Sequence, residues 1–168
     1  MNIIIENLCD YPEHIETVVN WLYSEWGNNN YSFWDSWVRS SIRKDRVPMT
    51  FVLLVNNTVA GTYSLWNCDI QSRQDLSPWF GGLYVDRAFR GKEFNGQKLG
   101  VMMQRHAIAK AAELGIEKLY LFTEKSPKYY IENGWVYVGT AYDEKDNIVN
   151  LCEYCVGVAE TQGNNNEE

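Results

Sequence analysis

The chain has 168 residues, 45% of them hydrophobic, which is the length of one ordinary domain with enough apolar content to build a core. A formal net charge of −7 argues against nucleic acid or an anionic membrane as a general partner, since phosphate surfaces select a basic face and only short basic clusters occur. No apolar run approaches the roughly 20 residues that span a bilayer, and the first residues lack a basic region followed by a long apolar segment, so a cytoplasmic protein is expected.

Ile3 to Ile5 is a short β-branched run. Pro12 then precedes a pattern in which Ile15, Val18, Val19, Leu22 and Trp26 recur at helical spacing up to Gly27. The asparagine run from Asn28 to Asn30 reads as a loop. Phe33, Trp34, Trp37, Val38 and Ile42 resume the helical period until Lys44-Asp45-Arg46 and Pro48. Thr50 to Val55, the Asn56-Asn57 turn and Val59 to Trp66 predict a hairpin, because two β-rich runs flank a dipeptide that tolerates positive φ.

After a polar loop comes the apolar run Trp79 to Val85, then a basic glycine loop, then a predicted helix from about Gly96 to Leu114 closed by Gly115. Lys118 to Thr123 alternates like a strand, and Pro127 to Asn133 reads as a short helix with Gly134 as its C-terminal cap. Trp135 to Ala141 and Ile148 to Val156 are further strands. The order is therefore β-α-α-β-β-β-α-β-α-β-β, in a single domain over residues 1–158 followed by a polar tail at 159–168. Cys9, Cys68, Cys152 and Cys155 are expected to be reduced and structural, since Cys152 and Cys155 lie three apart in a strand and point to opposite faces. No His, Cys and Asp cluster has metal-ligand spacing, so no metal is expected.

The glycine loop, Arg90-Gly91-Lys92-Glu93-Phe94-Asn95-Gly96-Gln97-Lys98-Leu99, runs into the predicted helix. Unpaired helix N–H groups, the positive end of the helix dipole and Arg90, Lys92 and Lys98 would then converge on one place, which suits an anion. A nucleoside-triphosphate loop is excluded because Gln97 stands where its lysine belongs and Leu99 is no hydroxyl ligand for magnesium. The dinucleotide fingerprint is excluded by the spacing of Gly91, Gly96 and Gly100. A bland reading, in which the glycines only shape a turn among solvated charges, carries comparable weight on the loop alone.

The run Leu83 to Lys92, the helix after Gly96, the strand Leu119 to Thr123 and Tyr129-Tyr130-Ile131-Glu132-Asn133-Gly134-Trp135 together resemble the GNAT superfamily of N-acetyltransferases. The family's pyrophosphate loop reads Arg/Gln-x-x-Gly-x-Gly/Ala, whereas this loop is one residue longer and has Glu93 where the first glycine belongs. The resemblance implies an α/β (α+β) fold, a mixed and mostly antiparallel central sheet of roughly six to seven strands flanked by helices. It implies acetyl-CoA as cosubstrate, with backbone groups of Leu83, Tyr84 and Val85 bonding the pantetheine arm. Arg90, Gly91, Lys92, Asn95, Gly96 and Gln97 would hold the pyrophosphate.

Transfer to an amine needs a neutral nucleophile, stabilisation of a developing oxyanion and a proton for the departing thiolate. The resemblance assigns the proton to Tyr130, leaves Tyr129 to pack, and gives the oxyanion to the backbone N–H of Val85 or its neighbour. The base is left open among Glu25, Asp69, Asp75 and Glu124, each of which has a solvated surface carboxylate as its plainer explanation, and a water relay. A covalent route through Cys68 is weaker, because only His14 and His106 could serve it. His106 itself reads as a packed, hydrogen-bonded residue.

Seven tryptophans and 11 tyrosines are many for this length, and Trp26, Tyr31, Phe33, Trp34 and Trp37 crowd the first two helices. In the family these helices border the acceptor site with the start of the Trp79 strand, so Glu25, Trp26, Trp34 and Trp79 are its expected residues. The acidic balance favours a cationic acceptor such as an aminoglycoside, a polyamine or a peptide amine, with no nucleic acid or membrane partner and a monomer or homodimer. The rival is a non-catalytic acyl-CoA-binding or sensing module.

Overall fold

In the computed structural model, which describes residues 1–27 and 29–157, the initial β-branched run forms β1 (Ile3–Asn7). The expected tail at 159–168 lies outside the described residues. Helix α1 (Ile15–Trp26) buries Val18, Val19 and Leu22, which lie on one stripe. Helix α2 (Tyr31–Ser40) opens on Asn30, whose side chain accepts the Phe33 N–H at 3.0 Å and so caps the first turn. It ends before Ile42, the last residue of the apolar period. Ser41 is buried, and its hydroxyl donates to the Val38 carbonyl while sharing a 2.6 Å bond with Thr50 Oγ1. That bond turns the chain into the next strand.

Strands β2 (Met49–Val55) and β3 (Thr58–Trp66) form the expected hairpin, with Asn56 and Asn57 at φ 47° and 66° in its turn. β4 (Trp79–Val85) follows. The glycine loop departs from expectation: Glu93–Phe94 (β5) and Gln97–Lys98 (β6) pair as a miniature hairpin, and Asn95 and Gly96 take φ 50° and 75° at its tip. Two consecutive left-handed residues make a tight primed turn, the conformation that Asn-Gly favours. Helix α3 (Leu99–Glu113) therefore starts after the hairpin rather than at Gly96.

β7 (Lys118–Thr123), the single-turn helix α4 (Lys128–Ile131), β8 (Val136–Tyr142) and β9 (Ile148–Cys155) complete the fold. Seven strands form one sheet in the order β1-β2-β3-β4-β7-β9-β8, antiparallel except between β4 and β7. Alternation along each strand divides the core. Met49, Phe51, Leu53, Tyr63, Leu65, Phe80 and Leu121 pack under α3, while Val52 and Leu54 pack under α1 and α2. A third cluster, with Ile70, Trp79, Val149 and Leu151, lies beneath the connection at 67–78. Each cluster rests on one face of the sheet, so the functional groups of β3 and β4 are distributed between two layers.

Candidate active site

The site begins where the sheet is incomplete. Register between the parallel strands β4 and β7 is confined to Trp79↔Tyr120, so beyond that pair the strands part. On its other side β4 is irregular against β3 between Thr62 and Ser64, where Gly82 adopts φ 60°. A bulge there raises the local twist and turns β4 away from β7.

The parting leads to a cleft of about 320 Å³ between the end of β4, the loop after it and the start of α3. Arg90 is held over it by three groups. Its Nε donates to the Val85 carbonyl at 2.7 Å, its guanidinium lies 4.8 Å from the centre of the Tyr84 ring, and its Nη2 is 3.9 Å from the Glu25 carboxylate. Tyr84 is in turn stacked on Trp21 of α1 at 5.1 Å. Lys92 donates to the Ala88 carbonyl at 2.7 Å. Lys98 occupies the N-cap of α3 and its side chain makes no cap bond, so the first N–H groups of this 15-residue helix have no side-chain partner. Lys125 approaches from the loop after β7. The wall thus combines a helix N-terminus with four cations against Glu25, an electropositive setting for a phosphate-bearing ligand.

Of the residues expected from sequence to meet a coenzyme, Leu83, Tyr84, Val85, Arg90, Gly91 and Lys92 line the cleft. Asn95, Gly96 and Gln97 do not. The β5–β6 hairpin carries them outward, and a side chain on Gly96 would meet nothing within 4 Å. Gly100, Lys125 and Tyr129 line the cleft and were not among the expected site residues. The Asn95-Gly96 pair was the available signal, since it marks a hairpin tip and leaves Gly100 as the glycine of the helix start. A Cβ on Gly100 would lie 2.8 Å from Tyr129 Oη, so that glycine is what admits the phenol.

The tyrosine pair divides differently from the expectation that Tyr129 packs. Tyr129 keeps 38% exposure and faces the cleft. Tyr130 turns into the core edge against Trp135, with ring centres 6.3 Å apart. Burial, with smaller contributions from Tyr129 and Cys152, pushes the Tyr130 phenol up to about 12, so it stays protonated through the neutral range. Trp135 is anchored by its indole N–H donating to Gln104 Oε1 at 3.0 Å.

The expected acceptor residues are dispersed. Glu25 sits in the cleft beside Arg90 rather than with the aromatic group. Trp79 is fully buried, its indole N–H donating to the Leu76 carbonyl at 2.7 Å, and so presents no surface to an acceptor. Trp26 and Trp34 belong to a chain of rings that continues through Phe33 and Trp37 to Trp66, with neighbouring centres 5.3 to 6.5 Å apart. Among the remaining carboxylates, Asp75 is exposed and paired with Arg73 at 2.9 Å, which holds its carboxyl below the ordinary range. Glu124 is exposed. Asp69 is half-buried, and desolvation, followed by the Glu144 carboxylate, pushes it up to about 7. Burial raises the Cys68 thiol, opposing a thiolate nucleophile. His106 shares a 2.7 Å hydrogen bond with the buried Tyr63 hydroxyl.

Residues 15–132 match the sequence profile described as the acetyltransferase (GNAT) family. No curated protein matches the chain in sequence. Among solved structures, an N-acetyltransferase from Staphylococcus aureus Mu50 superposes with a TM-score of 0.69 at 16% identity, covering 94% of this chain and 100% of its own. An aminoglycoside 6′-N-acetyltransferase complexed with coenzyme A gives 0.69 at 11% identity, covering 92% and 97%. The aminoglycoside 6′-N-acetyltransferase from Enterococcus faecium gives 0.67 at 11% identity, covering 94% and 98%. At these identities the likeness is one of fold.

Proposed function

The chain belongs to the acetyltransferase (GNAT) family and so is an acyltransferase, for which we propose direct transfer of the acetyl group of acetyl-CoA to a primary amine of a small molecule or peptide. The observation that carries this reading is the single-pair β4–β7 contact opening into a cationic cleft at the uncapped start of α3. An extended amide-bearing arm can add to the freed edge of β4 at Leu83 to Val85, while its diphosphate meets Arg90, Lys92, Lys98, Lys125 and the helix N–H groups. The cosubstrate supplies the activated thioester. The proton that the departing thiolate takes is assigned to Tyr130 on its position before Gly134, as in the family resemblance, although Tyr129 is the phenol lining the cleft. Burial keeps the Tyr130 phenol protonated through the neutral range.

A small amine as acceptor is supported by the names of two structural neighbours, which are aminoglycoside acetyltransferases, and by the ring chain from Trp26 to Trp66. Two measurements test the reading. Coenzyme A at millimolar concentration is expected to raise the melting temperature, and thiol release from acetyl-CoA is expected with at least one of kanamycin, spermidine, tryptamine and a short unblocked peptide. A melting shift without thiol release from any of them would leave a binding module, and no shift would refute the coenzyme site.

A further inference from the structure

One face of the sheet is covered in two parts. α1 and α2 lie over β1 to β3, and the connection at 67–78 lies over the other half. The connection is tied to the β8–β9 end by Ser72 Oγ donating to the Tyr142 carbonyl at 2.6 Å and by the Gln71 N–H donating to Glu144 at 3.3 Å. Where the two coverings meet, Trp37, Trp66 and Asp69 gather over Gly81 and Gly82 of β4. A Cβ on Gly81 would lie 2.6 Å from the Trp66 ring and 2.9 Å from Asp69 Oδ2, so the missing side chain lets the carboxylate reach the strand. Gly81 stands two residues beyond Trp79, the point where β4 and β7 are last bridged. Asp69 therefore lies at the apex of the parting.

We propose that Asp69 is the catalytic base that takes the acceptor's ammonium proton at this apex, from the face of the sheet opposite Tyr130, and that the acceptor is a cationic primary amine. The proposal rests on the acetyl-transfer reading. Glu25 is turned toward Arg90 and Asp75 toward Arg73, whereas no cation pairs with Asp69 among the described residues. The charged or titratable groups that face Asp69 are Glu144 and Cys68, and neither compensates its charge. The two carboxylates instead make a negative field that draws an ammonium inward. Titration of Asp69 at about 7 places its proton exchange where a base working near neutrality is most effective. The same wall has unspent polar capacity, since the Trp37 and Trp66 indole N–H groups are buried without a partner.

In the step so defined, the ammonium gives one proton to Asp69 and its freed lone pair forms the C–N bond as the C–S bond breaks. The thiolate takes the phenolic proton of Tyr130, a second proton from the nitrogen restores the phenol, and Asp69 passes its proton to solvent. The products are an amide, free coenzyme thiol and one proton.

The test is Asp69→Asn, assayed by thiol release with whichever of the four amines the wild type acetylates best. Expected are a fall in kcat/KM of about 10²-fold or more at pH 7, loss of the acidic limb of the pH profile, and an unchanged coenzyme A affinity by calorimetry. Carboxyl carbon NMR of the wild-type protein should show Asp69 titrating near 7, a readout that a folding defect in the variant cannot affect. An unchanged acidic limb in the variant, or an Asp69 resonance titrating near 4, overturns this proposal alone. Wild-type protein that binds coenzyme A but acetylates none of the amines overturns both readings.

Discussion

A carboxylate held near 7 in the fold and near its ordinary value in the unfolded chain must destabilise the protein once ionised, and Asp69→Asn measures by how much. The shift from 3.8 to about 7 is about three pKa units, and at 1.36 kcal/mol per unit the ionised fold is penalised by about 4 kcal/mol. The sign follows from the raised value. Below about pH 3 Asp69 is protonated in both states and the penalty is absent. As pH rises the unfolded chain ionises first, and stability is lost progressively until pH passes the folded value of about 7. The asparagine variant carries no such penalty. Its melting temperature should exceed the wild type by only about 2–4 °C at pH 4.5, where the penalty is about 1 kcal/mol, and by about 8–16 °C at pH 8.5, since 1 kcal/mol moves a domain of this size by about 2–4 °C. Parallel melts of the two proteins across that range, monitored by circular dichroism, give the difference directly and cancel the titration of all other groups. A difference that does not change with pH would refute the reasoning. A stabilised but inactive variant is the expected signature of strain held at a functional site.

The other groups give separable outcomes. Tyr130→Phe should lower kcat by about 10²-fold and leave coenzyme A affinity nearly intact, and an unchanged kcat in steady-state assays would remove this phenol from the chemistry. Lys98→Ala and Lys125→Ala should each weaken coenzyme A binding by about 3–10-fold at low ionic strength and by less at high salt, the pattern of exposed charges on an anion. Calorimetry at two salt concentrations checks this, and loss of the salt dependence in the wild type would contradict it. Gly81→Ala should cost about 1–3 kcal/mol in denaturant unfolding by forcing the Trp66 ring and Asp69 apart. The same change should move the acidic limb of the pH profile to lower pH, because a displaced carboxylate regains water.

Local chemistry made most elements readable from the chain alone. The apolar stripe of α1, the Asn56-Asn57 hairpin and the strand alternation are local periodicities and turn preferences that tertiary packing preserves. Even the departure in the glycine loop had a local sign in Asn95-Gly96, which a count of glycines toward a phosphate loop passed over. The tyrosine pair was different. Consecutive helical residues diverge by about 100° around the axis, and which of Tyr129 and Tyr130 meets the cleft depends on how α4 is seated on Trp135 and Gly100. Trp79 illustrates the same limit, since the connection at 67–78 closes over it and removes it from any ligand.

By itself, then, the sequence determined the order of the elements, the basic loop before a helix and the presence of a phenol near the family's acid position, because periodicity, turn chemistry and residue type act over a few neighbours. The tertiary structure decided which of four carboxylates has a raised proton affinity. That affinity is set by surroundings in space, here the backbone of Gly81 in β4 and the carboxylate of Glu144, both brought to Asp69 from positions distant along the chain.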